Sequence, residues 1–223
     1  MKNTKKVLLV AILALALVAT GALGTMAWLI ATDSKTNTFT VGHVNKPTTD
    51  PITGDEDPNL DGYIKEPNFN AADAKLLPGG EYAKDPYIGI GKGSEESFVY
   101  VYVDNDFYSG TYKDVYFTIT DAWEPVTNRV TAGSKAGTYV AGLFKYKTTL
   151  TPSADADSWT TNPLFEKIKV DASTSLEELS AGATNGSGNI TIYAYIHQAY
   201  DGDNNSLADT ANTDAVAWSE TLN

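Results

Sequence analysis

The sequence predicts an all-β protein, a two-sheet sandwich with jelly roll as the leading topology, and three observations carry that reading. Strand-forming residues dominate beyond the N-terminus, with 13 Tyr and 7 Phe among many Val, Ile and Thr. Clusters of Gly, Asn, Asp and Pro cut them into short runs. Residues 97–104 alternate Phe98, Tyr100 and Tyr102 with Val99, Val101 and Val103, so one face is aromatic and the other aliphatic, the pattern of a strand covered on both sides. Pattern alone leaves an immunoglobulin-like sandwich open beside the jelly roll.

At the N-terminus, Lys2, Lys5 and Lys6 precede an apolar run over residues 7–20 and a small-residue exit, Gly21-Ala22-Leu23-Gly24-Thr25-Met26-Ala27. This is the pattern of a secretory signal peptide, a helix over residues 1–27, with the cut marked by Thr25 and Ala27 and falling before Trp28. The protein is expected to be secreted. Left uncut, residues 7–31 would be long enough to span a bilayer and would serve as a membrane anchor.

After the leader, residues 28–44 hold an N-terminal strand and residues 45–223 read as one domain. Residues 45–62 are expected to form an exposed, mobile loop, with Asp50, Asp55, Glu56, Asp57 and Asp61 among prolines and glycines. Beyond 97–104, strands are expected over 39–44, 87–90, 113–120, 139–150, 165–170 and 189–199. Ser175 and Glu178 make a capping-box pattern that predicts a short helix over 175–179. Ala211, Ala215 and Trp218 fall at helical spacing and predict a second over 209–221.

The whole chain of 223 residues carries 16 basic and 28 acidic residues. Cleavage removes 3 lysines and no acid, so 16 less 3 leaves 13 basic against 28 acidic residues, a net charge of −15. Such a surface repels nucleic acid and anionic lipid, which excludes both as partners; a membrane enters only before cleavage. Cysteine is absent, which excludes a disulfide scaffold, a thiolate metal site and a thiol nucleophile.

Four local patterns occur in order along almost the whole chain. They are Gly24-Thr25-Met26-Ala27; Asn37-Thr38-Phe39-Thr40-Val41-Gly42; Leu77-Pro78-Gly79-Gly80-Glu81-Tyr82-Ala83-Lys84-Asp85-Pro86 leading into 97–104; and Ile192-Tyr193-Ala194-Tyr195-Ile196-His197-Gln198-Ala199 before a helix with Ala217-Trp218. In these the chain resembles the TasA/camelysin family of exported matrix proteins of Gram-positive bacteria, processed by a dedicated signal peptidase of the SipW type. Two positions depart from it: Leu-Gly-Thr stands where related exits show Gly-Gly-Thr, and His197 where a small or aliphatic residue is usual.

The resemblance implies a jelly roll that assembles head-to-tail into extracellular fibres of a biofilm matrix, each subunit donating its N-terminal strand to the next. Its partners would be copies of itself, the signal peptidase and an accessory matrix or anchoring protein. The residues support that mechanism independently. Trp28, Leu29 and Ile30, with Phe39 and Val41 further on, are very apolar for the exposed start of a secreted chain, and leaving each large side chain in water is unfavourable by roughly 1.5–3 kcal/mol. Pairing with a neighbour's open sheet edge would bury them and satisfy the backbone. Folding back onto the chain's own sheet is the alternative, and describes a monomer.

Catalysis has little support. A zinc hydrolase, the activity described for some camelysin-like relatives, needs paired imidazoles at helical spacing and a third ligand, whereas only His43 and His197 exist and neither lies in such a motif. His197 falls in the strand parity of Thr191, Tyr193 and Tyr195 and reads as a hydrogen-bonded strand residue. No Gly-x-Ser-x-Gly elbow occurs. Gly89-Ile90-Gly91-Lys92-Gly93 lacks the ending of a phosphate loop and reads as a turn. Asp201-Gly202-Asp203-Asn204-Asn205 departs from a calcium loop at Ser206 and Asn212 and reads as a solvated Asx turn. The sequons at Asn185 and Asn189 read as incidental in a bacterial protein. No catalytic residue, metal or cofactor is therefore expected, and the protein reads as structural rather than enzymatic. The rival class is a carbohydrate-binding module using Trp123, Trp159 and the tyrosines as a platform.

Overall fold

A computed structural model describes residues 30–34, 36–39, 44–60, 62–108, 113–181 and 188–222. The leader expected over residues 1–27 lies outside them. Among the described residues the fold is all-β, built from two unequal sheets, two α-helices and a short 3-10 helix over Ala71–Asp73.

Twelve strands are described: β1 (Ile30–Ser34), β2 (Thr36–Phe39), β3 (Ile64–Lys65), β4 (Glu81–Ala83), β5 (Tyr87–Ile90), β6 (Ser97–Asn105), β7 (Val115–Phe117), β8 (Trp123–Ala132), β9 (Tyr139–Tyr146), β10 (Ser158–Trp159), β11 (Lys167–Val170) and β12 (Ile190–Gln198). Nine belong to one sheet in the order β2-β1-β12-β6-β9-β7-β11-β4, with β8 on the other side of β9, and this sheet curls into a half-barrel. The second sheet is β10-β5-β3. All pairings are antiparallel.

The two faces of β6 sort as the alternation predicts. Val99, Val101 and Val103 enter the main core with Ile88 and Ile90 of the small sheet and Phe117, Phe144 and Phe165. Phe117 packs 4.3 Å from Phe165, centroid to centroid. On the opposite face Tyr100 and Tyr102 join Tyr195, Leu143 and Val126 in a second cluster. Ala211 and Ala215 of helix α2 (Ala208–Glu220) close it, their methyl groups letting the helix approach the rings. Trp218 lies 5.2 Å from Tyr195. The other helix, α1 (Leu176–Ala181), starts with the expected box: the Glu178 N–H donates to Ser175 Oγ at 3.1 Å and the Ser175 N–H to Glu178 Oε2 at 2.7 Å.

Strand β9 changes partners along one edge, pairing with β6 through Gly142 and with β7 at Tyr139. Asn105 fills the changeover. Its amide donates to the carbonyls of Val115 and Val140 at 3.1 and 3.0 Å, and its oxygen accepts the Phe107 N–H at 3.0 Å. On the other edge β8 bulges between Pro125 and Val130, with Asn128 at φ 62°. Gly142 faces that bulge at φ 126°, where a Cβ would strike the Arg129 carbonyl.

Several expectations shift. Of the strand expected over residues 39–44, Phe39 lies in β2, Val44 is buried outside any strand, and residues 40–43 lie outside the described set. Strands expected over 113–120, 139–150 and 165–170 are shorter at one or both ends. The long β8 was not expected, because Pro125 and exposed Glu124, Thr127 and Asn128 hide it; the outer edge of a sheet tolerates them. The 45–62 stretch, expected to be loose, is stitched down. Thr49 bridges Glu56, and Lys65 holds Asp57 at 2.5 Å.

Its N-terminal end is locked to the small sheet. The Asn45 N–H donates to Ser94 Oγ, its amide to the Lys92 carbonyl, and the Gly91 N–H to the Asn45 carbonyl. Gly91 is needed there because any side chain would collide with the Lys46 carbonyl. One oxygen of Asp157 accepts from the N–H groups of Thr48 and Thr49 and from the Thr49 hydroxyl; the other accepts from the Lys92 N–H. Burial raises the Asp157 pKa, but these donors outweigh it and leave the carboxyl below its ordinary value.

Two outcomes follow. Asn105→Ala strands two buried carbonyls and should lower unfolding free energy in urea by about 3 kcal/mol, given roughly 1–3 kcal/mol per abandoned buried group. Because the Asp157 pKa is depressed, its contribution is present above the ordinary carboxylate range and disappears as pH falls through the folded value. Asp157→Asn should therefore destabilise at pH 7, and the gap from the unaltered protein should close in acid; a gap independent of pH would refute the assignment.

Candidate assembly site

Of the residues expected to mark the cut and the assembly strand, Thr25, Ala27, Trp28, Leu29 and Val41 lie outside the described residues. Ile30 and Phe39 lie within them, on two strands of one hairpin. Ile30 stands opposite His197 of β12, and Phe39 stands opposite Ala31 across the hairpin. The segment 30–39 thus adds to the edge of its own sheet, with Ala31, Thr32 and Asp33 opposite Ile196, Tyr195 and Ala194.

The covered edge is only half of β12. Residues 190–193 have no partner strand on that side among the described residues. The first three of them, Ile190, Thr191 and Ile192, line a cleft of about 740 Å³ together with Tyr82 and Ala83 of β4 and the adjoining Lys84. Phe107, Ile64, Ile168 and Leu76 supply further apolar surface. The cleft is the gap at which the curled sheet stops short of closing, because β4 is the last strand of its path.

Residues 66–76 form one wall. Asn68 ties it to buried Asp85, its N–H and amide donating to the two carboxylate oxygens at 3.0 and 2.7 Å. Lys84 Nζ lies 2.8 Å from Glu66 and 5.0 Å from the Phe69 ring centre. With Lys65 on Asp57, the lysines at the mouth are matched by carboxylates. The Asp57 carboxyl sits below its ordinary pKa, chiefly through its hydrogen bond to Lys65 and then that from the Asn59 N–H. The β4 edge is three residues long and carries Glu81, held by Lys169 and Lys167, features that blunt an edge against stray pairing.

The other candidates resolve into structural roles. His43 lies outside the described residues. His197 is buried, with Nδ1 donating to the Gln198 carbonyl at 2.7 Å and Nε2 3.7 Å from Asp214 of α2. Among the described residues no group of three or more His, Cys, Asp or Glu is placed to hold a metal ion. Asp201 accepts from the N–H groups of Asp203 and Asn205 and from the Asn205 amide, so its oxygens serve the turn. Trp123 and Trp159, the proposed glycan platform, present no shared face: Trp123 is buried with its N–H on the Asn162 carbonyl, and the Trp159 ring lies against Gly89.

The cleft itself was not read from sequence. Phe107, Leu76 and Ile64 lie in segments without strand periodicity, and only the curl of the sheet brings them beside Ile190 and Ile192. What fold and site define together is a β-protein in which, among the described residues, half of one sheet edge lies unpaired beside a largely apolar gap. Comparison with known proteins returns no match to a family model, to a curated protein or to a solved structure.

An aspartate in place of Phe107 puts a charge in this apolar wall. Phe107→Asp should weaken binding of a hydrophobic dye to the folded protein while leaving the β-sheet circular dichroism in place.

Proposed function

We propose that this protein is a secreted structural subunit of an extracellular fibre of the biofilm-matrix type, a jelly roll of the TasA/camelysin kind. It is released by a signal peptidase that cuts between Ala27 and Trp28. It assembles head-to-tail, the N-terminal segment of one copy adding as a strand to the sheet of the next. The observation that carries this reading is the edge of β12, which accepts β1 and, among the described residues, continues without a partner strand beside a largely apolar cleft. Main-chain pairing at such an edge supplies affinity, and apolar side chains entering the cleft supply selectivity. Donor and acceptor are different surfaces, so the contact repeats along a filament rather than closing a dimer.

The signal exit supports the order of events. Until Ala27 is cut, Trp28 and Leu29 remain continuous with the membrane-inserted leader; cutting frees them. The resemblance of the four sequence patterns adds the matrix setting, and the acidic mature surface keeps free subunits dispersed.

Secreted protein should begin at Trp28 by mass spectrometry and form filaments visible by electron microscopy. Deleting residues 28–41 should abolish the filaments while the remaining chain keeps its β-sheet circular dichroism. Filaments that persist unchanged after the deletion would defeat the donor-strand reading.

A further inference from the structure

Strand β12 has two unequal edges. Toward β6 it is paired along its whole length, from Ile190 opposite Asn105 to Gln198 opposite Ser97. On the other edge, among the described residues, β1 covers only residues 194–197, and β2 pairs back along β1 from Thr36 opposite Ser34. The register of β1 nevertheless runs on without interruption over the free half. Asp33 stands opposite Ala194, so a strand that continued straight would set Thr36 opposite Thr191 and Asn37 opposite Ile190. Phe39 would then arrive at Gly188, against which the Phe107 ring packs in the cleft wall.

We propose that in the assembled state the arm straightens and lies along the entire β12 edge of a second copy in this register, its Thr36–Phe39 portion closing that copy's cleft. The inference rests on the fibre reading above. The β1–β2 hairpin is the stored form of the same arm. It satisfies its backbone internally and blocks half of the edge that an incoming arm needs. One opening event therefore creates a donor and an acceptor together. Exchange of an identical element between copies remakes the β1–β12 bonds it breaks, and pairing along residues 190–193 replaces the bonds lost within the hairpin. Both lysines that line the cleft, Lys65 and Lys84, are paired with carboxylates.

The chain contains no cysteine, so introduced thiols report pairing without background. Secreted protein carrying Thr36→Cys is mixed with protein carrying Thr191→Cys, taken to filaments and oxidised. Asn37→Cys with Ile190→Cys repeats the test one residue along, since alternate pairs in an antiparallel ladder differ in side-chain approach. Circular dichroism confirms that each variant folds. A docked pair meets its partner at an effective concentration on the order of millimolar, so at micromolar protein the heterodimer should exceed either homodimer by at least about tenfold in one of the two mixtures.

Asp33→Cys mixed with Ala194→Cys is the comparison, because those positions oppose each other whether the arm is folded or straight. Filaments that link 33 to 194 between chains, but neither 36 to 191 nor 37 to 190, would overturn the straightened arm and leave donor-strand assembly standing. Filaments that link none of the pairs would place the arm elsewhere and overturn the register. Absence of filaments from the unaltered protein would remove the fibre reading and this inference with it.

Discussion

Because β6 buries Val99, Val101 and Val103 on one face and Tyr100 and Tyr102 on the other, each face demands its own cover, and the architecture follows from meeting both demands. The aliphatic face takes the small sheet and the Phe117–Phe144–Phe165 group. The aromatic face takes α2, which approaches the rings through Ala211 and Ala215 and lays Trp218 against Tyr195. A chain without disulfides depends on this double burial, in which every large apolar side chain withdrawn from water is favourable by roughly 1.5–3 kcal/mol. The strand pairings of β6 with β12 and β9 then fix which residues of those neighbours face each layer.

The curl that wraps the large sheet around its core also decides which edges remain. At β9 the sheet hands over from β6 to β7, with Asn105 satisfying the carbonyls that the handover exposes. The bulge in β8 bends the opposite side. The path then ends at short, charged β4 before it reaches β12, and the apolar gap between them is the geometric remainder. Edges β4 and β8 carry the usual deterrents to pairing, charge on one and proline on the other. β12 carries neither, and its outer half abuts Phe107 and Leu76. The same curvature that makes the core makes the open edge.

Much of the fold was legible because period and capping are local. The β6 alternation, the β12 run over 189–199, the Ser175–Glu178 box and the spacing of Ala211, Ala215 and Trp218 each specify their element within a few residues. β8 was illegible for a local reason too: Pro125 and three polar neighbours erase its period, and only its place at an edge makes them acceptable. The cleft and the Asp157 anchor were illegible for a different reason. Asp157 sits in Ala154-Asp155-Ala156-Asp157-Ser158, which looks like any solvated turn, and its donors lie far earlier in the chain, at Thr48, Thr49 and Lys92. For the assembly residues, the sequence marks Ile30 and Phe39 as apolar but says nothing of the hairpin that folds one back beside the other's neighbour.

The lock at Asn45, Thr48 and Thr49 has a mechanical meaning. Whatever holds the N-terminal segment pulls on the body at this point, and the pull is received by Gly91, Lys92 and Ser94 in the turn after β5 and by Asp157 just before β10. Bonds loaded side by side share a force, whereas bonds loaded in sequence give way one at a time. Within the copy that donates the arm, a pull arriving through Val44 is therefore met first by these bonds, ahead of the rest of the chain.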